Sequence, residues 1–121
     1  MLPEAFIKPD DIPFQSYNLD CKTVLLTIDV ETDFGSQHTN ALSQLDRLLD
    51  VVDELGLPLT AFVEGRFFES RQALCTMLIE RVVEVELHCY DHGTSGDTPA
   101  LLERSIKAYT DFRGILPLGY R

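Results

Sequence analysis

Two hydrophobic periods alternate along the chain. The run "KTVLLTIDV" (22–30) is apolar and β-branched, which predicts a strand buried on both faces. "TDFGSQHT" (32–39) is loop-like. Over 40–56, Leu42, Leu45, Leu48, Leu49, Val52 and Leu55 recur at spacings of three and four, which predicts a helix. Gly56 and Pro58 are placed to end it. "LTAFVEG" (59–65) reads as a second strand, and 70–82 as a second helix with Ser70 as its N-cap. "VEVELH" (83–88) is a third strand. Residues 98–114 form a third helix, capped by Thr98, opened by Pro99 and closed at Gly114. "ILPLGYR" (115–121) begins a fourth strand. Ahead of all this, residues 1–22 read as an irregular lead-in broken by Pro3, Pro9 and Pro13.

The order β-α-β-α-β-α-β with short connections predicts an α/β fold of parallel strands joined by right-handed crossovers. Such a fold brings the C-terminal ends of its strands to one edge, the edge where α/β proteins place their chemistry. Here that edge collects Asp29, Glu64 and His88.

Composition narrows the function. A chain of 121 residues, 45% of them hydrophobic, has room for one domain with a real core. Its net charge of −10 opposes phosphate backbones, so no nucleic-acid partner is expected. No apolar run approaches the roughly 20 residues of a spanning helix. The first residues carry acids and prolines rather than a basic, then apolar leader, so a cytoplasmic location is expected. Cys21, Cys75 and Cys89 are odd in number and lack CxxC spacing, which fits reduced, mostly buried thiols.

The candidate chemistry lies at the shared edge. His88 and His92 sit four apart where the third strand ends, and only His38 is a further histidine. Two neutral imidazoles at this spacing can converge on one divalent cation. Across the edge lie Asp29, Glu31 and Asp33, of which 29 and 31 share a parity if the strand continues. Two histidines and a carboxylate make a ligand set that leaves positions open for water and substrate. A second carboxylate is then free to act as a base. Taken singly, each cluster also has a plainer reading: a packed strand-end histidine, an exposed His92, aspartates that cap turns. Glu64 could line the pocket or be solvated. Asp91 could orient an imidazole or cap a turn, Cys89 reads as a buried thiol pointing away from the site, and Arg66 and Arg71 read as surface residues.

The motifs "LLTIDVET", "LTAFVEG", "VEVELHCYDH" and "LGYR" come in an order that resembles the NodB-type polysaccharide deacetylases, carbohydrate esterase family 4. Asp29-Val30-Glu31 resembles the Asp-x-Asp/Glu variant of that family's opening motif. "LHCYDH" is similar to the metal motif of the branch containing lipid-linked formamido-arabinose deformylases. The resemblance implies the N-terminal portion of a distorted (β/α) barrel over 23–121. It implies Asp29 as general base, Glu31, His88 and His92 as metal ligands with Asp33 competing for the place of Glu31, and Arg121 as the arginine of the third motif. Tyr90 and Tyr120 are candidates for stacking on a sugar ring. Two departures stand out: no glycine precedes the third strand, and the family's later motifs, with the histidine assigned as general acid, are not reached by Arg121.

The implied reaction is hydrolysis of an N-acyl group, acetyl or formyl, from a sugar, polysaccharide or lipid-linked sugar. The implied cofactor is Zn²⁺, with Co²⁺, Ni²⁺ or Mn²⁺ as alternatives. Two competing readings stay open. One is an inert fragment, or one completed by a partner, with an exposed sheet edge that could form homo-oligomers. The other is a receiver- or flavodoxin-like domain without metal.

Overall fold

The computed structural model describes residues 20–33, 36, 38–92 and 98–121. Most of the lead-in and part of the 32–39 loop therefore lie outside the described residues. Three strands form one parallel sheet in the order β1 (Leu26–Val30), β2 (Leu59–Glu64), β3 (Glu84–His88). The register places Asp29 beside Phe62 and Phe62 beside Glu86, and it ends with Glu64 beside His88. Sequential strands lying side by side are the pattern of a barrel wall. A flavodoxin-like sheet would reverse its order and run 2-1-3.

The sheet has two unlike faces because side chains alternate. Val30, Leu59, Ala61, Val63, Val85 and Leu87 are buried on one face. They share a core with Leu45, Leu49 and Val52 of α1 (Leu45–Glu54), with Cys75 and Leu78 of α3 (Gln72–Arg81), and with Ala108 and Tyr109 of α4 (Pro99–Arg113). Phe67 and Phe68 join from α2 (Gly65–Ser70). Phe68 meets Tyr109 edge to face at 5.1 Å, and the Tyr109 hydroxyl donates to the Val85 carbonyl. The opposite face presents Thr27, Asp29, Phe62, Glu86 and His88, which include residues of the candidate site.

The elements depart from the sequence reading in four places. Pairing in the first strand begins only at Leu26, opposite Leu59. Val24 and Leu25, with no strand beside them among the described residues, are 90% and 85% exposed, so this run is not buried on both faces. The helix read over 40–56 divides into a 3₁₀ turn (Asn40–Gln44) and α1, because Asp33 accepts from the Asn40 and Ala41 amides and tightens the entry. The helix read over 70–82 is α3, and a further helix, α2, precedes it over Gly65–Ser70, separated from it at Arg71; Ser70 does not cap α3 but bonds back to the Arg66 carbonyl. The fourth strand is one parallel bridge, Leu87 to Tyr120, with Leu87 donating to Gly119 and Arg121 donating to Leu87. By contrast α4 has the ends read for it: the Thr98 hydroxyl accepts from the Leu101 amide, Pro99 opens the helix, and Gly114 closes it in the left-handed conformation.

All three cysteines are free, Cys75 and Cys89 being buried and Cys21 exposed. Burial pushes the Cys75 thiol up to about 12, so it stays protonated and unreactive. Among the described residues, no helix is long and apolar enough to cross a membrane.

Candidate metal centre

The parallel register carries β1, β2 and β3 to a common C-terminal edge, and the chain just past that edge supplies three converging donor atoms. His88 Nε2 lies 2.8 Å from Glu31 Oε2 and 2.7 Å from His92 Nε2, while His92 Nε2 lies 2.7 Å from Glu31 Oε2. The other nitrogen of His88, Nδ1, faces the Arg121 carbonyl at 2.7 Å. A carbonyl only accepts, so Nδ1 carries a proton there, which leaves Nε2 as the atom that can offer a lone pair to a cation. Two imidazole nitrogens and a carboxylate oxygen gathered this closely are donor atoms that one cation can satisfy together. The donor set therefore fits a divalent cation, and it is chemically of the kind zinc takes.

Cys89 Sγ also lies within 4.8 Å of ring nitrogens of both histidines. It does not point clear of the site as strand alternation predicts, because the strand ends at His88 and Cys89 adopts a positive φ of 30°. Glu31 Oε2, at 2.7–2.8 Å from both imidazoles, is the better third donor by distance.

Asp29 stands on the same face of β1, one-third exposed. Its Oδ1 is 3.4 Å from Arg121 Nη1, which also donates to Thr27 Oγ1 at 2.7 Å. Arg121 thus touches the site twice, through its carbonyl on His88 and its guanidinium on Asp29. Its approach is fixed by Glu86, a buried carboxylate that accepts from the Leu118 and Gly119 amides at 2.8 Å each. Burial, the largest cause, pushes the Glu86 carboxyl above its ordinary range despite those two bonds.

The structure brings Glu31, His88, His92, Asp29 and Arg121 together and leaves Asp33 apart, both of its oxygens spent on the Asn40 and Ala41 amides. Tyr90 has one ring face under the Arg104 guanidinium at 4.6 Å, and its hydroxyl donates to Glu69. Tyr120 is half exposed beside Leu87. His38 is exposed in its loop. Asp91 pairs with Arg66 at 3.3 Å, and Arg66 is part-buried rather than on the surface.

Sequence reasoning undervalued Glu64. It is fully buried. Its Oε1 accepts from Thr32 N at 3.1 Å, Thr32 Oγ1 at 2.9 Å and His92 N at 3.3 Å. Its Oε2 lies 3.1 Å from Arg66 Nε, a close charge contact. The one signal for this in the sequence is Arg66 two residues on, since a buried carboxylate needs a cation and donors.

The family profile for polysaccharide deacetylases matches residues 16–111. Among solved structures, a candidate polysaccharide deacetylase from Mycobacterium smegmatis is similar with a TM-score of 0.61 and 24% identity over 80% of this chain. This chain covers 41% of that protein, less than half its length, and at that identity the likeness is one of fold: a partial (β/α) barrel of the NodB type. A comparison with curated proteins finds no match.

Proposed function

Because the chain belongs to the polysaccharide deacetylase family, we propose that it serves a metal-dependent hydrolase that removes an N-acyl group, acetyl or formyl, from a sugar or polysaccharide. One observation carries the reading: Glu31 Oε2, His88 Nε2 and His92 Nε2 converge within 2.8 Å of one another, with the His88 tautomer set by the Arg121 carbonyl. The three would hold the cation. A divalent ion there, zinc being the first to test, supplies Lewis acidity and makes hydroxide available near neutral pH.

The remaining roles fall to this chain's own groups. Asp29 takes the proton of the attacking water as its oxygen bonds to the acyl carbon. Arg121 and Thr27 hold that carboxylate in place from one side. When the carbon–nitrogen bond breaks, the leaving amine needs a proton, and the resemblance assigns that donor to a histidine of a later motif. Tyr120, half exposed, is a candidate for contact with a sugar ring. Tyr90 offers at most the ring face that Arg104 does not cover. The Asp29-Val30-Glu31 spacing and "LHCYDH" favour formamido sugars, free or lipid-linked, among the substrates to try.

The test is zinc titration by calorimetry, then release of acetate or formate from chito-oligosaccharides and formamido sugars. One equivalent of zinc should bind, and the His88→Ala/His92→Ala pair should abolish binding. Asp29→Asn should keep zinc and lose about 10²–10⁴-fold in turnover. Absence of zinc binding by a folded chain would remove the metal from the reading. A second reading, a chain inert until completed by further strands, is favoured by the exposure of Val24, Leu25 and Leu118 at the sheet margins. Zinc binding without turnover would select it.

A further inference from the structure

We infer that Glu64 is a positioning residue that locks two of the three donor side chains into one register, an inference that rests on the metal reading above. Glu31 lies 57 residues before His88, and none of the three donors lies within a helix. Glu31 follows the end of β1, and His92 follows a backbone forced into positive φ at Cys89. Neither position is fixed by strand pairing, because the ladder ends at Val30 on β1 and at His88 on β3.

Glu64 supplies what the ladder does not. Seated at the last position of β2, between the two outer strands, it ties both of these stretches through a single oxygen. Oε1 takes the amide and hydroxyl of Thr32, the residue next to Glu31, and the amide of His92 itself. The remaining oxygen faces Arg66, which also reaches Asp91, the neighbour of His92. The result is a buried bracket, Thr32–Glu64–His92, closed behind by Glu64–Arg66–Asp91. Three donors point at Oε1, and Arg66 places a cation 3.1 Å from Oε2, so a charged carboxylate suits the site. Glutamine would keep an oxygen for those three donors but make it a weaker, uncharged acceptor and remove the negative charge that faces Arg66.

The prediction separates positioning from mere stability. In the metal-free chain, Glu64→Gln should speed amide hydrogen exchange at Thr32 and His92 while Val63, inside the ladder, keeps its protection. For zinc alone, the dissociation constant should rise about 10–100-fold with one equivalent still bound, the range found for groups that orient ligands. Thr32→Val removes one donor of three and should shift both readouts the same way by a few-fold; it carries the test if Glu64→Gln does not fold. A role in stability alone would lower the melting temperature but leave local exchange and zinc affinity unchanged well below it, and that result overturns the inference. If the unaltered chain binds no zinc, the metal reading fails, and exchange at Thr32 and His92 still decides whether Glu64 holds the two stretches.

Discussion

At the residue scale, the cluster of Tyr90, Glu69 and Arg104 is a cross-link between the β3 loop and two helices. Arg104 grips both Glu69 oxygens at 3.0 and 3.2 Å, and the Tyr90 hydroxyl donates to the same carboxylate. The Arg104 bond is the largest influence holding the Glu69 carboxyl below its ordinary value of 4.5. A lowered folded-state pKa means the ionised carboxylate favours the fold. Its contribution is complete above the unfolded value and is lost as pH falls through the folded one. The gap in urea stability between the unaltered chain and Glu69→Gln should therefore be present at neutral pH and close as acidification protonates the folded carboxylate, below the ordinary value of 4.5. A gap that does not change with pH would mean the pair contributes packing rather than charge. The cluster is exposed enough that solvent screens it, so the gap should be small.

At the element scale, α2 is the piece that sequence periodicity did not reveal, and it is the piece that seats α4. Gly65 starts α2 directly after Glu64. A Cβ at that position would lie 2.9 Å from the Ser105 Cα and 2.7 Å from its Oγ. Since the obstacle includes backbone of α4, a side-chain rotation cannot relieve it. Gly65→Ala should cost about 1–3 kcal/mol in denaturant unfolding, the range for overpacking a well-packed contact. A neutral result would show that α4 can retreat from the sheet. The helix that was legible, α4, owes that to local signals at its ends: a threonine cap, a proline at the first position, a glycine at the last. The turn that was not legible, 65–70, follows a strand without a break. Residues 66–69 carry no periodic signal of their own, and what bends the chain is long-range: the Gly65 and Arg66 amides donate to the Cys89 and Tyr90 carbonyls. The site divides the same way. Histidine spacing pointed to His88 and His92 and carboxylate parity to Asp29 and Glu31, while the choice of Glu31 as ligand came from the family resemblance. The partners of Glu64 lie 32 and 28 residues away, where no local pattern reaches.

At the scale of the whole molecule, hydrophobic edges and net charge pull in opposite directions. β1 has no strand on its outer side among the described residues. A groove of about 420 Å³ lies there, lined by Ile28, Leu42, Leu45 and Leu48 as well as by Asp29 and Glu31. Leu25 and Leu118, at opposite margins of the sheet, are 85% and 86% exposed. Unpaired backbone beside apolar side chains is a template for another strand. Against this, a charge of −10 repels a second copy. Which effect wins depends on salt. The screening length is about 30 Å at 0.01 M ionic strength and about 8 Å at 0.15 M, whereas hydrophobic contact is not screened at all. Sedimentation velocity should therefore find the chain monomeric at low salt and increasingly associated as salt is raised. Leu25→Lys with Leu118→Lys should shift that onset upward, since each substitution puts a hydrated charge on a margin that must be dried to pair. Association that weakens with salt would instead point to ion pairs between copies. A monomer at every salt concentration would mean that the margins are covered within one chain.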